Sequence, residues 1–149
     1  MMPARMDAAP QRCLTLIQGP HRLRVAPAAG GRILGWTSDL ADGPRDWLTP
    51  IDVQEWPAHE WPKGGLFPLA PFSNRIRDAR MNWAGREILI QPLRGQAHAL
   101  HGQAQRMAWN VLDATADRIT LEARHPAGED GWPWAWSLRQ IIRLSADGR

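Results

Sequence analysis

Gly64-Gly65-Leu66-Phe67-Pro68-Leu69-Ala70-Pro71-Phe72-Ser73-Asn74-Arg75-Ile76-Arg77-Asp78 opens the stretch around which this chain is organised. Met81-Asn82-Trp83-Ala84-Gly85-Arg86-Glu87-Ile88-Leu89 follows, and His98-Ala99-Leu100-His101-Gly102 closes it. The first piece is punctuated by Gly and Pro and reads as irregular backbone. The second reads as a hairpin turning at Ala84-Gly85, where Gly supplies a positive φ. An Asn-Arg pair before a hairpin and a His-Gly pair after it bring an amide, a guanidinium and an imidazole within reach of one ligand.

Outward from this stretch the pattern stays short and β-like. Cys13-Leu14-Thr15-Leu16-Ile17 is a strand candidate, Gly19-Pro20 a turn, and His21-Arg22-Leu23-Arg24-Val25-Ala26 alternates polar with apolar. Gly30-Gly31 leads into Arg32-Ile33-Leu34-Gly35-Trp36-Thr37, Ala41-Asp42-Gly43-Pro44 is a turn, and Trp47-Leu48-Thr49 is a short strand. Residues 50–71 read as a long loop, which in a compact domain usually lines a site. Residues 106–112, 118–124 and 134–144 are three more strands, and no stretch carries a helical period. Short strands with turn signals between them predict an all-β, antiparallel sandwich or barrel. Residues 1–11, rich in Pro and Ala, read as a flexible leader, with residues 12–149 as a single domain.

With 149 residues, 44% apolar and 22% charged, the composition is that of a globular chain and excludes disorder. The net charge is +3, Lys63 is the only lysine, and the arginines are scattered rather than clustered. A nucleic-acid-binding β module, with a polybasic footprint, is therefore disfavoured. Cys13 stands alone, so no internal disulfide forms and a reducing, cytoplasmic setting is expected. No run approaches the ~20 apolar residues of a spanning helix, and the start lacks the apolar core of a signal peptide. Nine tryptophans beside no tyrosine are read mainly as core, although an indole face also suits the C–H face of a sugar ring.

Each candidate residue has a plain reading beside a chemical one. Arg75 presents a planar fork of donors to ligand oxygens, or is a surface arginine. His101 titrates near neutrality and so suits proton transfer at a hydroxyl or ring oxygen, or is a structural histidine satisfied by carbonyls. His98 and His101 have a spacing that invites zinc, but His21, His59, His125 and Cys13 show no clustered third ligand, and no metal is expected. Glu129-Asp130-Gly131-Trp132-Pro133-Trp134-Ala135-Trp136 is a wall of acids and indoles facing a sugar, or a turn into a strand whose Trp134 and Trp136 share a core face.

These residues resemble the aldose 1-epimerase (galactose mutarotase) family. The resemblance rests on five pieces in order: Gly30-Gly31-Arg32-Ile33, the Asn74-Arg75-Ile76 segment, the Gly85-Arg86-Glu87 hairpin, Leu100-His101-Gly102 and Asp130-Gly131-Trp132-Pro133. It implies an antiparallel β-sandwich of the galactose mutarotase type, here part of a supersandwich, and interconversion of the α and β anomers of free hexoses by acid–base ring opening. It further implies that Asn74 and Arg75 bind sugar oxygens, that His101 assists protonation at the ring oxygen, and that no cofactor takes part. The family's second histidine, its glutamate base and a sugar-binding aspartate have no counterpart in these residues, and Glu122, Glu129 and Asp130 are not assigned to those roles. The chain is therefore read as the family's N-terminal half. Its expected partners are a small sugar and either a second copy or a complementary C-terminal half, with neither nucleic acid nor membrane. The alternative is a carbohydrate-binding module without turnover.

Overall fold

The computed structural model describes residues 13–53 and 64–148. The expected leader, His59 and the middle of the residue 50–71 segment lie outside the described residues. Four antiparallel strands come first: β1 (Leu14–Gln18), β2 (His21–Ala26), β3 (Arg32–Leu40) and β4 (Gly43–Leu48), neighbours in that order. The short strand expected at 47–49 is longer and starts earlier, because only Ala41-Asp42 is needed to turn the chain. Pro44 is accommodated because β4 is at the edge of its sheet, where a missing N–H costs no ladder bond.

Two minimal strands follow, β5 (Arg75–Ile76) and, after the hairpin β6 (Arg80–Trp83) and β7 (Arg86–Leu89), β8 (Ala99–Leu100). The hairpin turns at Ala84 (φ 48°) and Gly85 (φ 74°), both left-handed as a two-residue hairpin loop requires. A three-stranded sheet completes the fold: β9 (Asn110–Ala114), β10 (Arg118–His125) and β11 (Trp136–Arg143), with β10 in the middle. The expected strand at 106–112 begins late because residues 104–106 form a single 3₁₀ turn. Similar turns occur at 27–29, 77–79 and 129–131, and no α-helix is present among the described residues.

The period-two alternation explains the core. His21, Leu23 and Val25 of β2 are buried, with Arg22 exposed and Arg24 half-buried between them, and Ile119, Leu121, Ala123 and His125 alternate likewise on β10. Leu16, Leu23, Val25 and Ile33 pack with Ile119, Leu121, Ala123 and Ile142 into one cluster that joins the two larger sheets. Between β2 and β3, buried Ser38 Oγ lies 2.5 Å from His21 Nδ1 and accepts a hydrogen bond from Trp47 Nε1 of β4 at 2.7 Å. The tryptophans depart from the core expectation. Trp109 is fully buried, donating its Nε1–H to the Ala104 carbonyl at 2.8 Å, but Trp47, Trp83 and Trp134 are exposed. Trp134 precedes β11, so it does not share a core face with Trp136.

Leu121 is 0% exposed at the centre of the joining cluster. Leu121→Ala is expected to lower unfolding free energy by about 2–5 kcal/mol. Chemical denaturation followed by far-UV circular dichroism reads this, and a change below about 1 kcal/mol means that the cluster does not join the sheets.

Candidate functional site

The chemistry-bearing residues converge because β5 and β8 pair across the hairpin: Arg75 is opposite Leu100 and Ile76 opposite Ala99. One step beyond, the ladder is continued by side chain as well as backbone. The His101 N–H donates to the Asn74 carbonyl at 2.9 Å, and the Asn74 N–H donates to His101 Nδ1 at 2.9 Å. With Nδ1 accepting, Nε2 is the ring nitrogen that carries the proton. Asn74 (φ 61°) and His101 (φ 62°) both occupy the left-handed region. Such backbone is costly outside glycine, is least costly for Asn, and concentrates where a site needs it.

Gly102 makes this geometry reachable. A Cβ there would lie 2.2 Å from the Ala70 carbonyl oxygen and 2.7 Å from Pro71 Cδ, so the loop before Asn74 and the turn after His101 touch backbone to backbone. The Ala104 N–H donates to that same Ala70 oxygen at 3.0 Å. Ile76 packs on the small cluster of Ala79, Ile90 and Ala99. Its strand neighbour Arg75 therefore projects to the opposite, solvent face, and Arg75 is exposed. The structure thus brings Asn74, Arg75 and His101 to one strand end.

His98 repeats the His101 arrangement at the other end of β8, its Nδ1 accepting from the Asp78 N–H at 2.9 Å with Asp78 Oδ1 at 3.7 Å. The two histidines are therefore held by separate amides, each given by a left-handed residue. Among the described residues no group of three His, Cys, Asp or Glu is placed to hold a metal ion.

Glu129 and Asp130 are brought elsewhere. They line a cleft of about 430 Å³ with Gln103 and Arg106. Arg106 Nη1 donates to the Leu100 carbonyl at 3.3 Å. In a trans peptide that carbonyl points opposite to the His101 N–H, so the cleft lies across β8 from Asn74. Burial lowers the Arg106 pKa below its ordinary value, and facing Asp130 partly restores it. Asp130 Oδ2 also lies 3.6 Å from Nε2 of buried His125, whose ring stacks on Trp136 with 3° between planes.

Arg32, present in the sequence reading only as part of a motif, supports the site from below. It is 2% exposed, donates from Nη1 to the Gly64 carbonyl at 2.7 Å, and lies 3.8 Å from the Phe67 ring centroid. Desolvation lowers its pKa to about 10. With the Ile33–Leu66 backbone bridge, it fixes the start of the loop that ends at Asn74. Hydrophobic patterning gives no sign of a buried cation inside a strand.

The sequence matches the aldose 1-epimerase family over residues 12–149. The Escherichia coli (strain K12) protein YphB, itself uncharacterised, is 34% identical over 82 residues, which is 54% of this chain and 27% of that protein. A crystal structure of a candidate aldose 1-epimerase from Escherichia coli K12 superposes with a TM-score of 0.75 at 29% identity, over 91% of this chain and 42% of that one. A GalM/aldose epimerase homologue from C. elegans (TM-score 0.72, 18% identity, 90% of this chain and 42% of that one) is similar in fold, as is galactose 1-epimerase from Lactobacillus acidophilus NCFM (TM-score 0.66, 15% identity, 96% and 44%). The chain spans under half the length of each of these relatives.

Two substitutions separate backbone from side chain. Gly102→Ala is expected to destabilise by at least about 1–3 kcal/mol, since the left-handed residue and the Ala70 contact must both give way. Asn74→Gly keeps the N–H that His101 accepts and is expected to stay within about 1 kcal/mol of wild type. Denaturation midpoints of the two variants check both, and equal effects would refute the backbone account.

Proposed function

The chain belongs to the aldose 1-epimerase family, and from that premise we propose that it acts on free hexoses, with Asn74 and Arg75 holding sugar oxygens and His101 assisting protonation at the ring oxygen. The reading is carried by the Asn74 N–H to His101 Nδ1 bond, which holds these two residues together at the strand end that bears Arg75. In the proposed reaction an acid not assigned to this chain protonates the ring oxygen, to which His101 Nε2–H donates a hydrogen bond, while a base takes the proton of the C1 hydroxyl. The C1–O5 bond opens to the aldehyde, C1 rotates, and closure on the other face gives the second anomer. The base is not assigned to any residue of this chain. No metal or organic group enters this scheme.

A second reading follows from the unassigned base. It is saturable sugar binding without turnover. Association is part of either reading: Val111 and Leu112 on β9 and Ile141 on β11 expose apolar surface at 46%, 48% and 59% on the outer strands of the second sheet. We expect this surface to take a second copy or a complementary chain. Self-association in size-exclusion chromatography supports the former, while monomeric elution with a cooperative melt counts against it.

Polarimetry of freshly dissolved α-galactose and α-glucose tests the reaction. The proposal expects acceleration of the optical drift that falls about 10²–10⁴-fold in His101→Ala, the usual range for a group that assists proton transfer. Acceleration that survives His101→Ala overturns the assignment of His101. Saturable binding with no acceleration by wild type establishes the second reading in its place.

A further inference from the structure

Trp83 and Trp134 lie outside the residues assigned to the sugar reaction, and they are 62% and 40% exposed. Their rings meet edge to face, 6.1 Å between centroids at 83°. With Arg86, Ile88 and Pro133 they wall a cleft of about 360 Å³ on the β6–β7 hairpin. Large aromatic side chains ordinarily go inside, so two indoles held open around one cavity signal a ligand.

The pair is braced rather than loose. Trp134 packs on Trp132 at 5.3 Å and 72°, and Trp132 packs on Phe72 at 5.7 Å. Phe72, Trp132 and the cleft residue Ile88 share one apolar cluster with Ile76 of β5. An unbroken aromatic row therefore runs from two residues before Asn74 to the open cleft.

The lining selects among ligands. Among the described residues lining the cleft Arg86 alone is ionisable, and its positive charge disfavours a cation. A volume of about 360 Å³ suits a single small ring system. A stable protein interface needs roughly 1,000 Å² or more, well beyond one such cleft. The remaining fit is a ring with a C–H face for the indoles and peripheral hydroxyls for the guanidinium donors.

We propose that the Trp83–Trp134 cleft is a saccharide subsite, holding one ring of an oligosaccharide through its C–H face. This rests on the sugar reading above and deepens it, adding a sugar contact on the β6–β7 hairpin outside Asn74, Arg75 and His101. Isothermal titration of the full chain with glucose, and with α-1,4 and β-1,4 glucose oligomers of increasing length, tests it. Affinity is expected to rise about tenfold beyond some length in one series. Trp83→Ala and Trp134→Ala each remove that gain and leave glucose affinity at the wild-type value. Trp83→Phe, which keeps an aromatic face, retains most of the gain and separates loss of the subsite from loss of folding. Glucose binding without a length-dependent gain, or a gain that survives both alanine substitutions, overturns the subsite and leaves the hexose reading standing. Failure of glucose and every oligomer to bind overturns both. Loss of a wild-type dimer in sedimentation by either alanine variant, with saccharide affinity untouched, makes the cleft a contact between copies and also overturns the proposal.

Discussion

The reciprocal pair between Asn74 and His101 is the constraint on which the functional half of the molecule depends. Two hydrogen bonds of 2.9 Å, one to a carbonyl and one to a ring nitrogen, extend a strand pair only two residues long. A pair that short has little stability of its own. It persists because both flanks are pinned: Gly102 lies against Ala70, and Arg32 with the Ile33–Leu66 bridge anchors the start of the loop to the first sheet. The Asn74 N–H thus fixes the ring through Nδ1. A histidine free to rotate would offer either nitrogen to a ligand. Here the backbone has made the choice.

The sequence reveals the larger sheets and conceals the smaller pairings, for one physical reason. A strand of five or more residues with one buried face leaves a period-two trace, and β1, β2, β10 and β11 do, whereas β3 starts with four consecutive buried residues. The all-β class and its relation to the mutarotases were legible on that basis and from the motif order. β5 and β8, at two residues each, contribute too few positions for any period. Their pairing is set by the loop contacts around them, so only the motif residues hint that Asn74 and His101 are neighbours.

The side chains were legible to differing degrees. Glu129 and Asp130 lie close in sequence to the indoles but face another cleft, because left-handed Asp130 and Gly131 reverse the chain between the acids and Trp132. Gly131 itself sits where a Cβ would come 2.1 Å from the Leu89 carbonyl. Counting tryptophans as core overstated their burial, since indole size predicts contact area without saying whether the contact is with protein. Buried Arg32 was invisible because its stabilising partners, a carbonyl and a phenyl face, come from a segment more than thirty residues away.

The register of β5 with β8 has a consequence for how such a protein can change. Arg75 and Leu100 are direct partners, so the intervening chain leaves and re-enters the fold at nearly one point. Everything between them, the hairpin included, behaves as a cassette whose ends are fixed whatever its content. Lengthening the turn or exchanging the strands re-shapes the outer cleft while the backbone at Asn74 and His101 stays put. Diversification of what the molecule grips can thus proceed independently of the atoms that would move the proton.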